Sequence, residues 1–247
     1  MSEPVVFIHG FGGSGGIWQW QQDYFAASRK VILVDLPGHG SCPWKNEGLD
    51  EMARLVAAQC REAGASSVDI VASSFGGLVA IKLAEGYPGL VRRIVFAGAL
   101  PRFTGTDNFP AGLVPAKIRK LAAQLQGDTA VVLDMFVRSL FTRKEKERPR
   151  YFQIKELRAQ SPLPTLEGLL GILDLLETED LREQFKQLAQ PCLFITGDSD
   201  PICPMAVAGP LNALLPSMRV ELLKDVSHFP FLSIPEVFNR RVERFFQ

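Results

Sequence analysis

The chain has 247 residues, 47% hydrophobic and 22% charged, with 27 basic and 27 acidic side chains. This composition excludes an intrinsically disordered chain, which lacks large apolar residues and carries a strong net charge, and argues against a dedicated nucleic-acid binder, which is strongly basic. At this length about three quarters of the unfolded surface can be buried, so neither disulfides nor a structural metal is needed to hold a fold.

The first apolar run, Val5–His9, follows Met1-Ser2-Glu3-Pro4. It is too short for a signal peptide and has no basic residues before it, so it reads as a buried strand. Val31–Asp35, Val68–Ala72, Arg93–Ala97, Cys192–Thr196 and Arg219–Leu223 read the same way. Strands of a parallel sheet are covered on both faces and lose the alternation of apolar and polar residues. Candidate helices at Leu49–Glu62, Leu78–Glu85, Met205–Leu215 and Pro235–Phe246 lie between them. Strand–helix alternation of this kind implies right-handed crossovers and a doubly wound α/β sheet.

Residues 101 to about 190 break the rhythm, with amphipathic stretches interrupted at Pro110, Pro115, Pro149, Pro162 and Pro164 and no convincing strand. An insertion between parallel strands sits at the carboxyl ends of the sheet, where α/β proteins bind ligands. Residues 1–100 and 191–247 are thus expected to form the core, and 101–190 a helical cap. No apolar run reaches the roughly 18 residues of a membrane helix. Cys42, Cys60, Cys192 and Cys203 form no CxxC pair and read as free thiols, which makes the expected compartment cytoplasmic.

The segment Val68-Asp69-Ile70-Val71-Ala72-Ser73-Ser74-Phe75-Gly76-Gly77 joins a strand to a helix through small residues around a serine. This is the pattern of a nucleophile elbow, whose tightness demands small residues two before and two after the nucleophile. For Ser73 those positions are Val71 and Phe75, both bulky; for Ser74 they are Ala72 and Gly76. Sterics therefore choose Ser74. A serine hydroxyl needs a base, and the chain has three histidines, His9, His39 and His228. Only His228 follows both the serine and an acid, in the order Ser, Asp, His expected on this kind of sheet. The acid that holds the imidazole tautomer comes from Gly197-Asp198-Ser199-Asp200. Asp200 is favoured because it lies further into the loop; Asp198 reads as a turn residue and Asp225 as local scaffolding. Two backbone N–H groups must hold the oxyanion. Phe75, after the nucleophile, supplies one, and the loop His9-Gly10-Phe11-Gly12-Gly13 the other, from Phe11. This loop lacks the lysine of a phosphate-binding P-loop.

Taken together, His9-Gly10, Asp35-Leu36-Pro37-Gly38-His39-Gly40, the Ser74 elbow, Gly197–Asp200 and His228 resemble the α/β-hydrolase superfamily. The resemblance implies an α/β-hydrolase fold: a doubly wound, mostly parallel sheet with an inserted helical cap. Ala72 stands where the family usually has the first elbow glycine. The chain opens almost directly on its first strand, so the family's initial hairpin is expected to be missing and the sheet to have about six strands. The insertion further resembles the pimeloyl-ACP methyl ester carboxylesterases of biotin synthesis. Its entry is Phe103-Thr104-Gly105-Thr106-Asp107-Asn108-Phe109-Pro110 with Gly112-Leu113-Val114-Pro115, its exit runs from Leu163 to Leu181, and the stretch from Ser227 to Pro235 resembles that family's base loop. The middle of the insertion matches poorly.

This likeness implies hydrolysis of a methyl ester on an acyl chain carried by acyl carrier protein. By the same matching, Phe11, Ser74, Phe75, Phe136, Val137, Arg138, Ser139, Leu140 and His228 would contact the substrate. From Arg138 to Arg158 eight basic residues face three acidic ones, leaving the window at net +5. Alone this reads as a solvated helix face; beside the family likeness it suggests steering of an acidic carrier, with Arg138, Arg143, Arg148 and Arg150 as docking candidates. No metal or organic cofactor, no nucleic acid and no membrane is expected, and the chain is expected to be a monomer. The same residues would also suit a broad-specificity carboxylesterase or another serine-triad hydrolase and, less well, a hydrolase-like receptor of low turnover. An elbow serine in place of aspartate argues against a dehalogenase or an epoxide hydrolase.

Overall fold

A computed structural model describes residues 2–107, 109–110 and 112–247, so Asn108 and Ala111 of the insertion's entry lie outside the described residues. Among these residues six strands form one sheet: β1 (Ser2–Ile8), β2 (Arg29–Val34), β3 (Val68–Ser73), β4 (Val91–Ala97), β5 (Cys192–Gly197) and β6 (Arg219–Leu223). Their order is β2-β1-β3-β4-β5-β6 and every neighbouring pair is parallel. Every residue of β3 and β5 is buried, which is why Ile70-Val71-Ala72 and Cys192-Leu193-Phe194-Ile195 read as apolar runs; the buried Asp69 in β3 pairs with Arg29 at 2.9 Å. The edge strands β2 and β6 are only partly covered.

Among the described residues there are twelve α-helices. The first three are α1 (Gln19–Phe25), α2 (Leu49–Glu62) and α3 (Gly76–Gly86). Between β4 and β5 come α4 (Pro115–Leu125), α5 (Thr129–Ser139), α6 (Arg143–Lys146), α7 (Pro149–Ala159), α8 (Leu166–Thr178) and α9 (Arg182–Lys186). The last are α10 (Ala208–Leu214), α11 (Pro230–Ser233) and α12 (Pro235–Phe246). The expected helix from Met205 to Leu215 divides into a 3-10 turn, Met205–Val207, and α10. The sequence reading missed α1. It is seven residues long, has no side-chain cap and is anchored by burial of Gln21 and Phe25, so local periodicity has little to act on. Among the described residues no helix is long and apolar enough to cross a membrane.

The strand order makes the site. From β1 the chain moves outward to β2, then crosses back past β1 to β3 and continues in that direction. Right-handed crossovers therefore put α1 on one face and α2 and α3 on the other. The loops leaving β1 and β3 part company at their carboxyl ends, and a crevice opens at such a switch point. The glycine-rich loop after β1 and the Ser74 turn after β3 border it.

The segment before and within α8 is tied to the core through main chain. Thr165 N–H donates to the Gly38 carbonyl at 2.9 Å. Gly38 and Gly168 approach so closely that a Cβ on Gly38 would lie 2.5 Å from Gly168 Cα. A Cβ on Gly171 would enter the Trp44 ring at 2.1 Å.

Candidate active site

Ser74 occupies the turn between β3 and α3 with φ +50°, the left-handed region that an L-residue enters only under constraint. Its N–H donates to the Ala97 carbonyl at 3.1 Å, which holds the turn against β4. Two residues on, a Cβ at Gly76 would lie 2.6 Å from the His9 carbonyl, so the space that only glycine leaves is filled by the backbone after β1. Ser73 is the last residue of β3 and fully buried, with its hydroxyl unpartnered among the described residues.

His228 and Asp200 come from the loops after β6 and β5. His228 Nδ1 lies 2.8 Å from Asp200 Oδ2. The same Oδ2 accepts from Thr196 Oγ1 at 2.6 Å, and Oδ1 accepts from the N–H groups of Ile202 and Cys203 at 2.8 and 3.0 Å. Burial raises the Asp200 carboxyl, but the His228 charge and these donors outweigh it and hold it below the ordinary value. Asp198 is exposed and accepts from the Asp225 N–H and Ser199 Oγ, both at 3.1 Å, so it stabilises the turn. Asp225 has φ +58° and pairs with Lys144 at 3.5 Å.

Ser74 and His228 line one cavity of about 410 Å³. They make no hydrogen bond to each other among the described residues; such pairs tighten when a substrate is bound. Nor, among the described residues, does the N–H of Phe11 or Phe75 go to a protein acceptor. The rest of the lining is mostly apolar, from the loop after β1, from α4, α5 and α8, and from Phe229 and Leu232. Its charged members are Lys117, Lys120 and Arg158, with no carboxylate among the lining residues.

Of the residues matched to a substrate pocket, Phe11, Ser74, Phe136, Val137, Leu140 and His228 line this cavity. Phe11 meets Phe136 edge to face at 5.4 Å. Phe75 is fully buried and is not a lining residue. Arg138 and Ser139 are exposed and do not line it either. They fall on the outer side of α5, where Arg138 pairs with Asp134 at 3.9 Å and Ser139 Oγ donates to the Phe136 carbonyl at 2.6 Å. The other docking candidates have local partners. Arg143 pairs with Glu147 at 3.0 Å, and Arg148 donates to the Asp225 carbonyl at 3.4 Å. Arg150 pairs with Glu236 and covers the Trp20 ring at 4.9 Å.

Sequence reasoning missed Gly98. It has φ +58°, and a Cβ there would lie 3.1 Å from His228 Nδ1 and 3.2 Å from Asp200 Oδ2. Position 98 directly follows β4 and lies against the imidazole, a long-range fact with no local signature. Asp200, Cys203 and His228 also bring potential metal-ligating atoms within 4.8 Å of one another. Their hydrogen bonds run among themselves, to Thr196 Oγ1 and to the backbone. Cys203 Sγ donates to the Gly98 carbonyl at 3.0 Å, and burial pushes this thiol well above its ordinary value, so it stays a neutral donor.

The two other histidines brace the loop after β1. His9 Nε2 accepts from Leu36 N–H at 3.0 Å and its Nδ1 donates to the Gly10 carbonyl at 2.8 Å. His39 Nε2 accepts from Gly12 N–H at 3.1 Å. Burial pushes His9 down to about 4. Burial, then the neighbouring His9, pushes His39 down to about 3. Both rings therefore stay neutral in the folded chain where unfolded histidines, near 6.5, take up a proton. Their contribution to stability is complete above about pH 6.5 and is lost as pH falls from there towards 4, by about 1.4 kcal/mol per pH unit for each ring. Urea unfolding at about pH 7.5 and pH 5 is expected to show this loss. Equal stability at the two values would mean that the rings are charged in the folded state.

Residues 3–235 match the family described as alpha/beta hydrolase fold. An enzyme of Yersinia enterocolitica named pimeloyl-[acyl-carrier protein] methyl ester esterase is 32% identical to this chain, over 98% of this chain and 93% of its own. An enzyme of the same name from Aeromonas hydrophila is 30% identical over 98% and 94%. Among solved structures, an esterase from Exiguobacterium antarcticum superposes with a TM-score of 0.88 at 24% identity, covering 99% of this chain and 92% of that one. A family match over most of the chain, on a six-stranded parallel sheet with Ser74 at its switch point, makes this chain a member of the alpha/beta hydrolases and a carboxylic ester hydrolase.

Proposed function

We propose that the chain hydrolyses the methyl ester of pimeloyl-ACP, releasing methanol and pimeloyl-ACP in biotin synthesis, as a monomer of the cytoplasm. Residues 1–100 and 191–247 serve as the hydrolase core and 101–190 as its cap. The observation that carries the reading is the cavity itself. Its apolar walls suit a hydrocarbon chain, and Lys117, Lys120 and Arg158, with no carboxylate among the lining residues, suit an anionic carrier arm. The enzymes named above, similar over nearly their whole length, support the same substrate.

In this mechanism Ser74 Oγ attacks the ester carbonyl while His228 Nε2 takes its proton. Asp200 holds Nδ1–H and stabilises the imidazolium that forms. The N–H groups of Phe11 and Phe75, which have no protein acceptor among the described residues, hold the oxyanion; each such donor is typically worth about a hundred- to a thousandfold in rate. His228 then protonates methanol as it leaves. Water attacks the acyl-enzyme along the reverse path, with His228 again as base.

The test is release of methanol from pimeloyl-ACP methyl ester, with a short p-nitrophenyl ester run beside it. Fast release with the thioester intact supports the proposal. Turnover of the short ester alone overturns the carrier-bound substrate and leaves a general carboxylesterase.

A further inference from the structure

Of the three acidic residues in the basic stretch from Arg138 to Arg158, one is buried while the other two are exposed. Glu145 lies in α6 between Lys144 and Lys146, yet it is 3% exposed. The Arg143 side chain of the same helix is 93% exposed. Among the described residues Glu145 forms no ion pair. Its carboxylate accepts three hydrogen bonds instead. Oε2 takes the Thr142 N–H at 2.7 Å and completes a capping box, in which Thr142 Oγ1 accepts from Glu145 N–H at 3.1 Å. Oε1 takes Ser233 Oγ at 2.6 Å and the Ser227 N–H at 3.2 Å.

A buried carboxylate without a counter-charge is costly, and only several charge-assisted donors can hold it. A helix of four residues on the surface needs no such group for its cap alone. The arrangement becomes intelligible from where the donors sit. Ser227 immediately precedes His228, and Ser233 closes α11, the turn that follows it. One carboxylate oxygen thus spans the segment carrying the imidazole. The His228 N–H leans the same way, towards the Leu140 carbonyl at 3.4 Å. Asp200 controls the ring at Nδ1, while the backbone beneath the ring is held from the inserted helices.

We propose that Glu145 is a positioning residue for His228: a carboxylate supplied by the inserted segment clamps both ends of the base loop and sets where the imidazole stands over Ser74. The proposal rests on the reading of His228 as the base. It makes the chemistry dependent on the insertion in a second way, apart from substrate binding. The insertion then shapes the cavity and also aligns the proton acceptor.

The experiment compares Glu145→Ala, Glu145→Gln, Ser233→Ala and Thr142→Ala on a short p-nitrophenyl ester. Thermal melts and the low-field Nδ1–H proton resonance of His228 are recorded alongside. Misplacing a catalytic group by about 1 Å costs roughly a hundredfold, so Glu145→Ala is expected to lower kcat by about 10- to 100-fold with KM changed less than about twofold. Its His228 resonance should shift or broaden. Glu145→Gln keeps an acceptor for Ser227 and Ser233 when its NH₂ faces the Thr142 N–H, which gives up the helix cap; it should recover most of kcat at a lower melting temperature. Thr142→Ala removes a partner of the same helix cap while leaving the clamp in place; it should lower the melting temperature and leave kcat and the resonance alone. Unchanged kcat and resonance in Glu145→Ala would overturn the proposal, as would equal losses in Thr142→Ala. If Glu145→Ala does not fold, Ser233→Ala decides. It removes one arm of the clamp, and wild-type kcat together with a wild-type resonance would overturn the proposal. The resonance reads the position of His228 whether or not esters are turned over. A failed clamp is therefore distinguishable from a failed assignment of the reaction, which Ser74→Ala reports.

Discussion

Ser74→Ala is expected to lower kcat for any ester by about a millionfold, with the melting temperature close to that of the parent chain. Removing the nucleophile of a serine triad costs about as much as removing the whole triad, because base and acid have nothing left to activate. Residual turnover comes from the oxyanion donors and from binding. The fold should tolerate the change. Ser74 Oγ has no protein hydrogen bond among the described residues to lose, and the φ of +50° is imposed by packing around Gly76 and by the Ala97 contact, both of which remain. Single-turnover kinetics with a p-nitrophenyl ester check it. Loss of the burst of p-nitrophenol in a folded variant is the expected result. A surviving burst would mean that another residue is acylated.

Asp200→Asn is the second large effect, at about 10⁴-fold in kcat with little change in KM. All four groups around the carboxylate can donate to it. On one oxygen are the N–H groups of Ile202 and Cys203; on the other are Thr196 Oγ1 and His228 Nδ1. An asparagine must place its NH₂ on one side. The two backbone donors cannot become acceptors, so the NH₂ turns towards the threonine and the histidine. Thr196 can rotate its hydroxyl. His228 can accept at Nδ1 only by carrying its proton on Nε2, the atom that must receive the serine proton. The variant would therefore fold with its base in the unproductive tautomer. A pH–rate profile of Asp200→Asn beside Asp198→Asn checks this. A loss below tenfold for Asp200, or a large loss for the exposed Asp198, would reassign the acid.

How far these features could be read without coordinates depended on the range of the interactions behind them. The inner strands announced themselves because burial on both faces leaves an apolar run, as in Cys192-Leu193-Phe194-Ile195; the edge strands β2 and β6 are only partly covered and read as largely apolar. That Ser74 takes the strained turn at the cavity while Ser73 stays buried in β3 was legible because an elbow imposes a steric rule on residues two positions away. Asp200 and His228 could be paired because the order of loops on a doubly wound sheet brings them to one edge; they lie 2.8 Å apart. What escaped were contacts across long stretches of chain. Gly98 looks like any small residue after a strand until His228 is placed above it. Glu145 looks like one more counter-charge among lysines until Ser227 and Ser233 are brought to it. Arg138 and Ser139 share a matched segment with Phe136, Val137 and Leu140, but an α-helix turns them towards solvent.

The main-chain contact between Gly38 and Gly168 bears on how such enzymes can be recombined. Loops are the usual boundaries for exchanging segments between relatives, and residues 101–190 would be the natural piece to transplant. Here the join is not confined to the two ends of that piece. Any graft bringing a side chain to position 168 would strike the backbone at Gly38, and one replacing Gly171 would strike Trp44. A donor segment must therefore arrive with its own version of the loop after β2, residues 35–48, so the exchangeable unit is discontinuous in sequence. The same constraint would operate in evolution: changes in substrate preference made through the insertion would have to be matched by changes in the loop after β2, so the two segments would drift together.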